Sequence, residues 1–391
     1  MNRDERLIDL CRQLIQTPSF SGKEENVSRL LEKTMQAYGF DEVMIDRNGS
    51  VLGKIHGKRP GKTILMDGHI DHVDVIDADE WEHAPFGAEI VDGKMYGRGT
   101  SDMKGSVAAM VSAAAYFAED TGKDFAGTIC ISGTVHEECF EGVSSREISK
   151  LAKPDYVIIG EATSTTIKIG QRGRAEVVVE TEGVSCHSSN PEKGVNAVYH
   201  MNAVIDEIRR IVPNEHTLLG KGILELTDII SSPYPGASVV PALCRATFDR
   251  RILVGEDESV ILGQVEEAIA RAQAKIPSLK ARVYLAEGEE PCWTGATIRA
   301  KRYFPAWVVD EDSELVQKAL TGLRKAGIEP EISHFSFCTN GSHFCGEAHI
   351  PTIGYGPSLE TLAHVRDEYI ELSQLTKSCH GFMCILRELT L

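Results

Sequence analysis

Four short apolar runs, at 51–55, 63–66, 128–135 and 156–159, are separated by polar turns and by one long helical stretch at 104–118. Strands alternating with helices specify an α/β layer whose sheet is largely buried. Two amphipathic helices precede them. Leu7, Leu10, Cys11 and Leu14 share a face of the first, and the second spans 24–38 and stops at Gly39. The middle of the chain changes pattern. Strands at 175–181, 224–230, 246–253 and 281–285 and helices at 196–211 and 258–274 follow in the order β-α-β-β-α-β, the ferredoxin-like arrangement. The first pattern then resumes, with a helix at 313–326, a strand at 350–355 and a closing helix at 373–389. At 391 residues the chain is long for one core. The expectation is a discontinuous α/β domain, 1–173 and 289–391, with a mixed sheet flanked by helices, and an inserted ferredoxin-like α+β domain at 174–288.

Acids and imidazoles gather where these runs end. His69 and Asp71 follow the run ending near Met66, Glu137 and Glu138 follow Val135, and Glu161 follows Ile159. Open α/β sheets bind ligands at the carboxyl ends of their strands, so three segments deliver donors to one edge. Asp102 closes the segment GRGTSD (97–102), whose glycines permit a tight turn that aims a carboxylate inward. With His364, the set His69, Asp102, Glu138 and Glu161 supplies nitrogen and oxygen donors for two metals, one of its carboxylates able to bridge cations ~3.5–4 Å apart. Glu137 and Glu138 are adjacent and cannot both face one way in an extended chain, so one can bind metal while the other reaches a bound water. An acidic pair at a solvated edge is the plainer alternative. His69 and Asp71 point the same way in an extended segment, and a carboxylate can take the second ring nitrogen of a metal-binding histidine. A surface pair has the same spacing. Such parts serve metal-assisted hydrolysis of an amide, and the ligand types suit zinc, with cobalt or manganese also fitting.

Composition narrows the partners. Forty-one Lys and Arg against 58 Asp and Glu give a net charge of −17, which argues against nucleic acid or an anionic membrane. Ten cysteines form no CxxC pair in a chain too large to need staples, which reads as thiols in a reducing compartment. The charged, periodic N-terminus has no signal-peptide pattern, and the apolar run at 106–118 is too short to span a bilayer. A cytoplasmic location is expected.

Taken together, these segments resemble the acetylornithine deacetylase and succinyl-diaminopimelate desuccinylase family of two-zinc amidohydrolases and exopeptidases, over essentially the whole chain. The resemblance implies His69 on one metal and His364 on the other, Asp102 bridging, Glu138 and Glu161 completing the two sites, Glu137 as general base and Asp71 orienting His69. The chain is also similar to the hydrolase branch linked by gene context to selenium metabolism, through GQRGR (170–174), GVSCH (183–187), LGKG (219–222), DRR (249–251), YFPAW (303–307) and FCTNG (337–341). In the inserted domain the resemblance implies that His187 reaches the active site of the other subunit of a dimer and stabilises the oxyanion. It also implies that Arg251 holds a substrate carboxylate by a bidentate contact, and that Arg172 and Asn340 fall at substrate-pocket positions. Read without it, His187 is a surface or structural residue, and Arg172 and Asn340 fit packing or the surface equally well.

The chain departs from the family in three places. His72-Val73-Asp74 stands where many members have Val-Val-Pro, Asn340-Gly341-Ser342 where they often have Asp-Gly-Arg, and Ala237 where some desuccinylases have Asn. These differences argue against copying succinyl-diaminopimelate specificity. His72 reads as a hydrogen-bond partner or an exposed ring. His83, His136 and His343 match no ligand position, and His136 is expected to point into the sheet packing.

The function expected is metal-dependent hydrolysis of an amide-type C–N bond in a small N-acyl or N-carbamoyl amino acid or related compound, through a metal-bridged water and a glutamate base. The inserted domain is expected to act as a lid and as the homodimer interface. A dipeptidase or aminopeptidase of the same family shares every residue named. A non-catalytic metal-binding scaffold could have lost Glu137 without penalty, yet the acid is present.

Overall fold

The computed structural model describes residues 1–391. The chain divides into two compact units: Met1–Gln171, Glu289–Arg299 and Trp307–Leu391 form the larger, and Arg172–Gly288 with Ala300–Ala306 the smaller.

The larger unit is built on a nine-stranded mixed sheet. Its strands lie in the order Glu42–Ile45, Val51–His56, Ala126–Thr134, Arg59–His69, Tyr156–Ile159, Thr352–Gly354, Ile167–Gln171 and Trp307–Val308, with Ile332–Phe335 also paired to Ile167–Gln171. Arg59–His69 lies at the centre and runs parallel to both neighbours, with His69 opposite Thr134 and Asp67 opposite Ile159. The three strands therefore end together, and the turns that follow them share one edge. Their apolar residues, among them Leu65, Met66, Ile129, Ile131 and Ile158, are fully buried, as expected of parallel strands covered on both faces.

Helix α1 (Arg3–Ile15) starts on a capping box between Asn2 and Glu5, and α2 (Glu25–Ala37) follows it. Helix α3 (Lys104–Thr121) is buried from Lys104 to Ala118 and stops at Gly122 in the left-handed conformation. It packs against α1, the closing helix Leu372–Thr390 and the Arg59–His69 strand. Gly68 makes the last contact possible, because a Cβ there would lie 2.6 Å from Met103 Cε and 2.8 Å from Met110 Cε. The first turn of α3, which follows Asp102 directly, is thereby seated beside His69. Each fully buried side chain of the Leu7, Leu10 and Leu14 kind contributes about 1.5–3 kcal/mol to holding this arrangement.

The smaller unit follows β-α-β-β-α-β: Gly173–Glu182, Ala197–Ile208, Ile223–Ser232, Leu243–Ile252, Glu258–Lys275 and Lys280–Leu285. Its sheet order is Ile223–Ser232, Leu243–Ile252, Gly173–Glu182, Lys280–Leu285, antiparallel throughout. Burial alternates along Leu243–Ile252, so Ala246 and Phe248 face Met201, Val204, Ile261 and Val265 of the two helices. The segment 300–306, which sequence patterning leaves in the larger domain, folds with this unit because Tyr303 and Phe304 pair with Ala175 and Arg174. No helix is long and apolar enough to cross a membrane.

Candidate metal centre

The Arg59–His69 strand ends on His69, whose ring is 1% exposed. Its Nε2 lies 2.9 Å from Asp102 Oδ1, 3.5 Å from Glu161 Oε1 and 4.0 Å from Glu137 Oε2. The other oxygen of Asp102, Oδ2, lies 3.1 Å from His364 Nε2. His364 Nε2 is also 3.2 Å and 3.1 Å from the two oxygens of Glu138. One carboxylate thus presents one oxygen to each of two histidines. Glu161 and Glu137 lie on the His69 side and Glu138 on the His364 side. The candidate donor atoms of His69, Glu137 and Glu161 lie within 4.8 Å of one another, as do those of His69, Asp102 and Glu138.

Local backbone explains the aim of each side chain. Gly97 and Gly99 adopt φ of +148° and +89°, so the loop before Asp102 turns as only glycine does readily. His364 itself sits at φ +62°, which costs a residue with a Cβ about 1–2 kcal/mol. The adjacent Glu137 and Glu138 diverge, as neighbours must, and their turn is gripped by Asp71. The Asp71 carboxylate accepts the backbone N–H groups of Glu137 at 3.1 Å and Glu138 at 3.2 Å, and the Ser21 hydroxyl at 2.7 Å. This corrects the expected contact between Asp71 and His69. His69 Nδ1 is 2.9 Å from the Asp71 backbone carbonyl and 3.6 Å from its carboxylate. The carbonyl therefore receives the Nδ1 proton, leaving Nε2 as the lone-pair donor, and the carboxylate shapes the glutamate turn instead.

The electrostatics are those of an anionic cluster. Burial, opposed by His69, pushes Glu161 up to about 8, with Asp102 and Glu138 adding to the rise. Burial also drives Glu137 well above the usual carboxylate range against the pull of His69, and Glu161 and Glu138 reinforce it. Asp102 goes the other way: hydrogen bonds from His364 and His69 outweigh its burial and hold it well below that range. The same bonds, from Asp102 and Glu138, raise His364 to about 10. Asp71, Asp102, Glu137, Glu138 and Glu161 face only two imidazoles. Two nitrogen donors, converging carboxylates and excess desolvated negative charge fit two divalent cations sharing Asp102.

Other predicted residues have different surroundings. Asn340 is 4% exposed. Its amide nitrogen donates to Asp67 Oδ2 and Thr134 Oγ1, both at 2.8 Å, and its oxygen accepts the Gly142 N–H at 2.8 Å. The side chain ties together strands and turns beneath the site and turns no amide hydrogen toward a substrate, a correction to its expected role. In the smaller unit, Arg251 Nε pairs with Asp249 at 2.9 Å and Arg172 Nη1 donates to the Lys221 carbonyl at 3.0 Å. His187 is exposed, and its Nδ1 accepts the Ser189 N–H at 3.1 Å.

His72 is buried. Its Nε2 accepts the Ser19 N–H at 2.9 Å, its Nδ1 faces the Val73 carbonyl at 2.9 Å, and its ring packs against Phe20. Of its two expected readings the hydrogen-bonded one holds. His136 is buried as well, at φ +60°. His83 stacks on Tyr96, and His343 bridges Ser149 and Glu347. Sequence patterning missed Glu368, a fully buried carboxylate beside Asp102. It stands in the polar run Val365-Arg366-Asp367-Glu368, which carries no sign of burial.

Comparison with known proteins agrees with this geometry. Residues 65–388 match the family described as peptidase family M20/M25/M40. The chain is 34% identical over 364 residues to the uncharacterized protein YgeY of Escherichia coli, covering 91% of this chain and 88% of that one. It is 29% identical over 391 residues to a succinyl-diaminopimelate desuccinylase of Cereibacter sphaeroides, covering 97% and 98%. Among solved structures, aminopeptidase PepT from Bacillus cereus superposes with a TM-score of 0.77 at 19% identity, covering 99% and 98%. Bacillus subtilis YXEP, titled a dinuclear metal binding peptidase, does so with 0.74 at 14% identity, covering 98% and 97%. These two share the fold.

Proposed function

Because the chain belongs to peptidase family M20/M25/M40 and is a metal-dependent hydrolase of amide bonds, we propose that it cleaves the amide-type C–N bond of a small N-acyl or N-carbamoyl amino acid. The observation that carries this reading is Asp102 set between His69 and His364, with Glu137 held beside them. In this proposal His69, Asp102 and Glu161 hold one ion and His364, Asp102 and Glu138 the other, and both ions are zinc. When bound, the ions supply Lewis acidity and an acidified water. Glu137, already strained toward protonation by burial, takes the proton of the attacking water and returns it to the leaving amine.

His187 is proposed as the oxyanion donor, delivered by a second copy of the chain. The Ser189 N–H can only donate, so His187 Nδ1 is an acceptor and the neutral ring carries its proton on Nε2. An exposed N–H is the form an oxyanion needs. Arg251 and Arg172 are proposed to meet the substrate's carboxylate. The preference for acyl substrates over peptides is supported by the desuccinylase relative matched along its whole length, whereas the aminopeptidase likeness extends to fold only. A cytoplasmic location accompanies the proposal.

Chelation is expected to abolish hydrolysis, and zinc, cobalt or manganese to restore it. Across a panel of N-acyl amino acids, N-carbamoyl amino acids and dipeptides, the acyl or carbamoyl compounds are expected to show the highest kcat/KM. A consistent preference for dipeptides overturns the substrate assignment while leaving the metal chemistry intact.

We propose a homodimer through the smaller unit. Ile223–Ser232 is an edge strand with Ile229 and Ile230 about half exposed at 48% and 50%, and Tyr199 and Tyr234 of the same unit are more exposed still. An uncovered apolar edge invites pairing. Light scattering on active protein should give twice the chain mass of 42.8 kDa, and Ile230→Lys should shift it toward monomer. An active wild-type monomer refutes the dimer.

A further inference from the structure

The loop that carries His364 is exposed through Arg366, and Glu368 is its first fully buried residue. The Glu368 side chain does not face the candidate metals. Its Oε1 accepts three backbone N–H groups in succession along the other loop: Gly99 at 3.1 Å, Ser101 at 2.8 Å and Asp102 at 3.1 Å. Its Oε2 accepts Arg98 Nη1 at 2.7 Å, and its backbone carbonyl accepts the Gly97 N–H at 2.8 Å. Residues 97–102 are thus wrapped around one carboxylate, which itself stands four positions after His364. Arg98 is 4% exposed and lies against the Trp81 ring, so this partner is fixed too.

On that basis, and resting on the two-metal reading above, we propose that Glu368 is a positioning residue that couples the His364 loop to the Asp102 loop and thereby sets the ion site they share. Two further contacts steady the same segment without touching Asp102. Arg366 pairs with Asp77 and Glu80, and Asp367 Oδ1 accepts the Glu82 and His83 N–H groups at 2.9 Å and 3.0 Å. These tie the loop to the 77–83 segment, whereas Glu368 alone ties it to a proposed ligand. The anion supplies this directionally: a carboxylate nested among backbone N–H groups holds the peptide planes that aim Asp102 at His364 and His69. His69 and Glu161 are set by their own strands, so the His69 side depends on Glu368 only through Asp102.

The test is metal binding by Glu368→Gln. The amide keeps the shape, but one of its two ends must then set an N–H₂ against a donor, either Arg98 or the nested backbone. Wild-type protein is titrated with zinc in a competing chelator, and bound metal is counted. The expected result is a wild-type protein holding two ions and an E368Q protein in which the weaker ion binds roughly 10–100-fold more loosely, the range for disrupting a partner of a ligand, while the tighter ion is little changed. Turnover of E368Q should recover as metal is raised, which a simple stability defect does not produce. Should E368Q fail to fold, Arg98→Met loosens the same clamp from its other end and should weaken the same ion. Two ions bound with wild-type affinity in folded E368Q overturn the inference, as does equal weakening of both. A wild-type protein that binds no metal would instead overturn the two-metal reading itself, so the two failures are distinguishable.

Discussion

Glu137→Gln should lower kcat by roughly 10²–10⁴-fold, the usual worth of a general acid–base group, while leaving two metal ions per chain. The two properties separate because the structure divides the glutamate pair. Glu138 presents both oxygens to His364, whereas Glu137 stands 4.0 Å from His69 with its carboxyl pushed up by burial. Glutamine preserves shape and volume but cannot take a proton from water. It also leaves the backbone N–H of residue 137 on Asp71, so the turn that aims Glu138 should persist. KM should change little. Metal content measured alongside turnover decides the assignment. Retained metal with lost turnover supports the base, metal lost together with turnover makes Glu137 a ligand, and near-wild-type turnover removes it from the chemistry.

Much of this was legible in the chain, and the illegible part has a physical character. Periodicity located the strands at 63–66, 128–135 and 156–159 because buried parallel strands are continuous apolar runs, and a His or acid just past each end marks a sheet edge used for chemistry. Two- to five-residue strands such as Ile167–Gln171 and Trp307–Val308 were not readable, since they form only by pairing with distant segments. What escaped in the site were contacts made through the backbone. Asp71 and Glu368 are carboxylates whose partners are mainly peptide N–H groups, and a sequence displays side chains without showing where its N–H groups point. Asn340 failed for the opposite reason. Its position in a family segment was read as a contact with substrate, while packing directs its amide to Asp67, Thr134 and Gly142. The residues that touch ligands can be read from type and position, but those that hold them need coordinates.

Asp102→Ala should be more damaging than loss of either histidine, because Asp102 is the only side chain placed against both. His69 meets Oδ1 at 2.9 Å and His364 meets Oδ2 at 3.1 Å. Removing it takes a donor from each proposed ion, whereas His69→Ala or His364→Ala takes one donor from one. Bound metal should fall toward zero in Asp102→Ala and toward one in His364→Ala, and turnover should fall by roughly 10³-fold or more in Asp102→Ala, matching several kcal/mol of lost Lewis-acid assistance. Asp102→Asn should lie between, since its amide keeps a single acceptor oxygen for one side. The fold itself should survive. In metal-free protein the Asp102 charge raises both Glu138 and Glu161, so its removal relieves crowding even as it leaves buried His69 short of a partner. Thermal unfolding can separate site from scaffold. Metal-free Asp102→Ala should melt close to metal-free wild type, whereas the stabilisation that ligand binding confers on the native state should appear on adding zinc to wild type and be absent in the variant. An Asp102→Ala protein that keeps both ions would show that the carboxylate is not shared, and the two histidines would then have to be assigned to independent sites.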